Sequence, residues 1–202
     1  MYIIGITGGT GAGKSTALKA LKSLGALALD CDEIYHDLLL NCTEMISEIN
    51  AKFEDVSTDG KIDRKKLSEV VWNDPISLQE LNSITHKYVE QDLKRRIGEF
   101  EKLGGTVAAI DAIALIESGQ SDNCNFIVGI IAPQEMRIAR IVSRDGLTVE
   151  QAQKRIDAQQ PESFFVDSCD QILENIYDSQ AMFEDKCIEF FNTIILSEEK
   201  QL

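Results

Sequence analysis

Lys14 and Ser15 close the run Gly8-Gly9-Thr10-Gly11-Ala12-Gly13-Lys14-Ser15, and Thr16 follows. The spacing fits a glycine, any four residues, then Gly-Lys-Ser/Thr, the pattern of a loop that cradles phosphate. The chemistry it offers is electrostatic. Glycines let the backbone curl until successive N–H groups point inward as an anion nest, and a helix start adds partial positive charge at the same point. Lys14 would reach the β- and γ-phosphates of a nucleoside triphosphate, and the Ser15 hydroxyl would hold Mg²⁺. The competing reading is a glycine-rich turn that merely joins two elements. The flanks favour the phosphate loop: residues 2–7 are an apolar strand-like run, and residues 17–24 carry a helical pattern closed by Gly25.

Acids come next. Residues 26–30 (ALALD) read as a second buried strand. Strand, loop, helix, strand implies a parallel sheet with a right-handed crossover. Ligands of such sheets gather beyond the carboxyl ends of the strands, which is where Asp30 and Asp32 fall. Asp32 would take the proton from an attacking hydroxyl, or hold Mg²⁺ through water. Equally, Asp32 is a reasonable N-cap for a helix beginning at Glu33. Residues 106–111 form a third apolar strand ending in Asp111, a Walker-B-like placement that would orient the metal or its water, although many α/β strands end this way. Glu117 follows on the same edge. Residues 126–131 form a fourth buried strand.

Arg137, Arg140 and Arg144 then recur at helical spacing. Asp145-Gly146 breaks that helix, and Thr148 caps a second one through Gln160, carrying Lys154 and Arg155. Arginine suits bidentate phosphate contact and the spreading of transition-state charge. The helix pair, about residues 137–165, is therefore expected to be a mobile lid that excludes water. The alternative is a salt-bridged surface pair with Asp145, Glu150 and Asp157 as partners.

A long helical insertion, about residues 33–103, separates strands two and three. It carries the stripe Met45, Ile46, Ile49, Phe53, a turn at Asp59-Gly60, a helix opened by Asp63-Arg64, and a helix from Pro75 to Leu103 stopped by Gly104-Gly105. A substrate-binding lobe would sit here. Arg64 and His86 are its candidates for a phosphorylated substrate, against a solvated helix-end charge and a partly exposed histidine. A short fifth strand at 170–175, a helix at about 179–191 and a loose polar tail from Ser197 complete the chain.

The 202 residues suit one domain with small insertions. A formal net charge of −14 opposes nucleic-acid or anionic-membrane partners. Five cysteines lack C-x-x-C spacing, so neither a zinc ribbon nor a redox dithiol is indicated, and reduced cytosolic thiols are expected. No apolar run is long enough to span a membrane, and the chain enters its first strand at once, without a signal peptide. A cytoplasmic monomer or weak oligomer is the expectation.

These segments together resemble dephospho-coenzyme A kinases. The likeness rests on residues 4–16 with Leu24-Gly25-Ala26 and Asp30-Cys31-Asp32-Glu33-Ile34-Tyr35-His36. It continues in Asp63-Arg64-Lys65-Lys66-Leu67, Val71-Trp72-Asn73-Asp74-Pro75 and Leu81-Asn82-Ser83-Ile84-Thr85-His86. It returns in Arg140, Arg144-Asp145-Gly146-Leu147-Thr148, Arg155-Ile156-Asp157-Ala158-Gln159, Asp170 and Asn175. The resemblance implies a P-loop NTPase fold of the nucleoside-monophosphate-kinase type: an α/β three-layer sandwich, a parallel sheet of about five strands, a helical acceptor lobe and a small lid. It implies ATP-dependent phosphorylation of the ribose 3′-hydroxyl of dephospho-CoA, with Mg²⁺ on Ser15.

Carried over by position, Gly11, Ala12, Gly13, Lys14, Ser15 and Thr16 hold ATP, Asp32 is the base, and Lys14 and Arg140 balance charge on the transferred group. Thr7, Asp32, Arg64, His86, Asp111 and Glu117 belong to the acceptor side, and Asn175 approaches adenine. The chain departs from the family pattern in three places. Residues 111–117 (DAIALIE) keep both acids but lose a proline and a leucine, Lys87 stands where a proline is usual, and Tyr177 replaces a glycine. Two rival readings are a kinase for another nucleoside or nucleotide, and a nucleotide-binding switch without transfer activity.

Overall fold

Strand β1 (Tyr2–Thr7) is buried along its last four residues, and strands on both sides hydrogen-bond to it. This is the setting that a short, uniformly apolar strand requires, since neither face can be given to water. In the computed structural model, which describes residues 1–58, 60–72 and 74–199, β1 is the centre of a five-stranded sheet of order β2-β5-β1-β6-β7. Its partners are β2 (Leu27–Asp30), β5 (Val107–Asp111), β6 (Phe126–Ile131) and β7 (Gln171–Glu174). The pairs β1–β5, β1–β6 and β6–β7 are parallel, and the register sets Ile6 opposite Asp111 and Thr7 opposite Gly129.

The chain divides into two compact units, one formed by Met1–Leu29 with the chain from Phe100 onward, the other by Asp30–Glu99. In the first, Ile4, Ile6, Ala109, Val128 and Ile130 of the sheet pack with Ala17 and Leu21 of α1 (Lys14–Ser23) and with Phe183 and Phe191 of the last helix. Gly5 points the other way: a side chain there would come within 2.7 Å of Leu115 and 2.9 Å of the Cys124 sulfur. Leu115, in the departing segment after β5, is therefore a buried packing residue.

The second unit is helical. It holds α2 (Cys31–Asn41), α3 (Thr43–Lys52), a two-stranded hairpin of β3 (Ser57–Thr58) and β4 (Lys61–Ile62), α4 (Arg64–Trp72) and most of α5 (Pro75–Lys102). Its own core contains Met45, Ile49, Leu67 and Leu81 from the apolar faces of these amphipathic helices, with Val56 from the connection before β3. Aspartates start three helices. Asp30 accepts from the Asp32 and Glu33 amides, Asp63 from those of Lys65 and Lys66, and Asp74 from the Ile76 amide and the Ser77 hydroxyl.

After β6, helices α6 (Gln134–Asp145) and α7 (Val149–Asp157) pack through Ile141, Ala152 and Ile156, and a capping box at Thr148 and Gln151 starts α7. Helix α8 (Glu162–Ser168) follows. The final helix α9 (Gln180–Glu199) is longer than the sequence pattern suggests. It carries through Ser197, where a loose tail is expected, because Phe183, Cys187 and Phe191 anchor it on the sheet. Lys200, Gln201 and Leu202 of that tail, and Asp59 of the expected turn, lie outside the described residues.

Candidate active site

The phosphate loop lies between β1 and α1. Gly13 is the N-cap of α1 in the left-handed region (φ 116°, ψ 20°), a conformation in which a Cβ is strained. It gives the helix no capping side chain, and the first turn carries no acid that would repel an anion. Ser15 is exposed in that turn and Lys14 is half-buried. Hard oxygen ligands suit Mg²⁺, and an exposed hydroxyl at a helix start, beside a strand ending in Asp111, fits such an ion. Asp111 is 6 % exposed and closes β5 one strand over from the loop. Thr7 is fully buried, and its hydroxyl donates to the Ile113 carbonyl at 3.1 Å. Glu117 is exposed in the turns that follow β5.

The arginines divide into two sets. Arg144 and Arg155 both pair with Asp145, as a surface ion-pair cluster. Arg137 and Arg140 turn to the loop instead. Arg140 donates from Nη1 to the Gly11 carbonyl (3.1 Å) and the Ala12 carbonyl (3.4 Å), and from Nη2 to Asn175 Oδ1 (3.1 Å) and the Tyr177 carbonyl (3.3 Å). Arg137 Nε donates to the Thr10 carbonyl (2.9 Å). An i, i+3, i+7 row on one helix thus meets different neighbours: Arg137 and Arg140 reach the loop, and Arg144 reaches Asp145. Burial works against the charge on both Arg137 and Arg140, offset at Arg137 by Glu162.

Asn175 is 4 % exposed, and both ends of its amide are engaged. Nδ2 donates to the Ala12 carbonyl at 2.8 Å while Oδ1 accepts from Arg140. Tyr177, one of the departures from the family pattern, packs against Phe183 in a tilted arrangement with ring centroids 6.0 Å apart.

In the helical unit, Asp30 does the capping at the start of α2 and Asp32 does not, because the helix begins at Cys31 and Asp30 has the extended backbone of an N-cap (φ −96°, ψ 114°). Asp32 is left exposed in the first turn of α2. Tyr35 and His36 follow at i+3 and i+4, on the same side of the helix. Arg64 is the exposed first residue of α4, and its charge is felt at Tyr35, whose hydroxyl pKa burial pushes up and Arg64 pulls down. His86 is half-buried on α5, and burial holds its imidazole below its ordinary value. Lys87 pairs with Glu48, which also accepts from the Tyr88 hydroxyl.

The sequence pattern misses Gln159 and the loop-facing role of Arg137. Gln159 Oε1 accepts from the Thr10 amide (2.9 Å) and from Arg137 Nη2 (2.9 Å), and its Nε2 donates to the Thr10 hydroxyl (2.7 Å). The one signal available was Arg137 itself, three residues before Arg140. Gln159 enters the sequence reading only as the last residue of the segment 155–159 that carries the family resemblance, with no role attached to it.

Comparison with known proteins bears on the family and the fold. The family model for dephospho-CoA kinase (CoaE) matches residues 2–181. A dephospho-CoA kinase of Dehalococcoides mccartyi is 39% identical over 161 residues, 79% of this chain and 81% of the relative. Among solved structures, TT1252 from Thermus thermophilus superposes with a TM-score of 0.78 at 28% identity, covering 98% of this chain and 97% of its own. Dephospho-CoA kinase from Campylobacter jejuni gives a TM-score of 0.69 at 27% identity over 95% and 96%. The five-stranded parallel sheet with its phosphate loop is a P-loop NTPase-type α/β fold, and the chain belongs to the dephospho-CoA kinase family.

Proposed function

We propose that this protein transfers the γ-phosphoryl group of ATP to the ribose 3′-hydroxyl of dephospho-CoA, giving CoA and ADP. The observation that carries the reading is the loop of residues 8–15, closed on a left-handed Gly13 at the start of α1, in a chain matched by the family model over residues 2–181. Phosphoryl transfer asks a protein mainly for positioning and charge stabilisation. The loop amides and Lys14 grip the triphosphate. Arg140 adds a cation behind the loop, where its hydrogen bonds hold Gly11 and Ala12 in place. Ser15 is the residue that would hold Mg²⁺, with Asp111 in support, and the ion would neutralise charge on the β- and γ-phosphates.

Asp32 is proposed as the base that accepts the hydroxyl proton. Its exposure, and the transfer of the capping task to Asp30, leave its carboxylate available. Arg64 and His86 are assigned to the acceptor. Burial keeps His86 neutral near pH 7, so it would serve as a hydrogen-bonding group and Arg64 as the cation for acceptor phosphate. The test is ADP release from Mg-ATP with dephospho-CoA, with simple nucleosides, and with no acceptor. Release stimulated by dephospho-CoA alone is expected. Stimulation by a nucleoside instead would reassign the acceptor, and acceptor-independent turnover would point to a nucleotide switch.

A further inference from the structure

Thr10 is 8 % exposed, and every polar group it owns is taken by α6 or by the segment after α7. Its amide donates to Gln159 Oε1, its hydroxyl accepts from Gln159 Nε2, and its carbonyl accepts from Arg137 Nε. Arg137 Nη2 closes the ring on Gln159 Oε1 at 2.9 Å. The partners are 127 and 149 residues away in sequence. The flanking glycines show how closely the loop is wrapped on this group. A Cβ on Gly9 would lie 2.2 Å from Arg137 Nη2, and one on Gly11 would lie 2.8 Å from the Arg137 carbonyl oxygen.

We propose that Gln159 and Arg137 are positioning residues for the nucleotide: they latch the phosphate loop through Thr10 and so set the direction of the loop amides. A loop rich in glycine loses much backbone freedom when it is fixed, and a phosphate arriving at an unfixed loop must impose that order itself. The latch imposes it beforehand, which is preorganisation. Because the latching groups come from α6 and from the residue after α7–Ala158, the seating of this helix pair and the shape of the phosphate loop form one equilibrium. A nucleotide that favours the ordered loop then favours the seated helix pair, and the reverse holds by linkage. The glutamine amide suits the task because it accepts and donates at once, which neither carboxylate nor ammonium can do at a Thr10 peptide and hydroxyl together.

The proposal rests on the reading that the loop holds ATP, so the test measures binding directly. Mg-ATP dissociation constants are determined by titration calorimetry for the unmodified protein, Gln159→Leu, Thr10→Val and the double variant, alongside the KM for ATP and for dephospho-CoA. Gln159→Leu is expected to weaken Mg-ATP by about tenfold, with the KM for dephospho-CoA changed less than about twofold and kcat changed less than the KM for ATP. Thr10→Val, which removes one hydroxyl, is expected to cost about threefold, and the double variant to match Gln159→Leu, because the bond lost in Thr10→Val is already absent. A merely structural role would move both KM values together. Unchanged Mg-ATP affinity in Gln159→Leu, or additive losses in the double variant, would overturn the latch. Should Gln159→Leu fail to fold, Thr10→Val decides alone: normal affinity overturns the proposal. If the unmodified protein does not bind Mg-ATP, the kinase reading falls, and the latch with it.

Discussion

The two units place their chemistry-bearing side chains in opposite ways. In the sheet unit, Arg137 and Arg140 of α6, Gln159 and Asn175 are drawn from three separate stretches of the chain onto the loop at residues 10–12, and each makes two or more hydrogen bonds. In the helical unit, Asp32 and Arg64 stand exposed in first turns, while neighbours (Asp30 and Asp63) do the structural work of capping. The lesson is that the loop at residues 10–12 is held by side chains from far along the chain, each tied to it by hydrogen bonds. Asp32 and Arg64, by contrast, sit exposed on helix starts whose capping is done by other residues.

The comparison can be broken most sharply at Lys14. Lys14→Ala should lower kcat/KM by about a thousandfold, since it removes a cation from the transferred phosphate; a loss below about tenfold would mean the grip does not depend on it. Asp32→Asn comes next. It should cut kcat by about a hundredfold and leave Mg-ATP affinity within about twofold, as expected of an uncommitted side chain in the helical unit. An equal loss of nucleotide affinity would erase the contrast between the units.

Asn175→Leu, of similar shape, strips the Ala12 carbonyl and Arg140 of a buried partner. Denaturant unfolding should show a loss of about 1–3 kcal/mol. A change below about 0.5 kcal/mol would show that the loop is not held from that side.

The smallest effect is a pH effect at His86. Its folded pKa is depressed by burial, so its neutral form contributes stability that is complete above about pH 6.5 and is lost as pH falls toward the folded value. The melting temperature of the unmodified protein should therefore drop relative to His86→Gln between about pH 7.5 and about pH 5. Parallel curves would place the imidazole in water.

Much of the sheet unit is legible in sequence because its signals are local. Glycines before Lys14-Ser15, apolar runs at β1, β5 and β6, and Gly25 and Pro75 at helix boundaries each report on their own neighbourhood. Less legible is what depends on partners far along the chain. Gln159 sits at the end of a helix pattern, and nothing nearby reveals that Thr10 awaits it. The hairpin β3–β4 is too short for an alternation to register. Helix α8 follows Pro161, and its Phe164-Phe165-Val166 run carries no clear period. In the helical unit, the sequence offers Asp32 as the N-cap of a helix beginning at Glu33, but the helix begins at Cys31 and Asp30 caps it. Only the backbone at Asp30, extended where the helix begins, assigns the cap.

The central claim is that this loop and this acid carry phosphate from ATP to one alcohol. The direct measurement is tandem mass spectrometry of the products after incubation with Mg-ATP and dephospho-CoA. The account predicts CoA, with the new phosphate on the ribose 3′-oxygen, and ADP in equal amount. Inorganic phosphate with unmodified dephospho-CoA, or a phosphate at any other position, would contradict it.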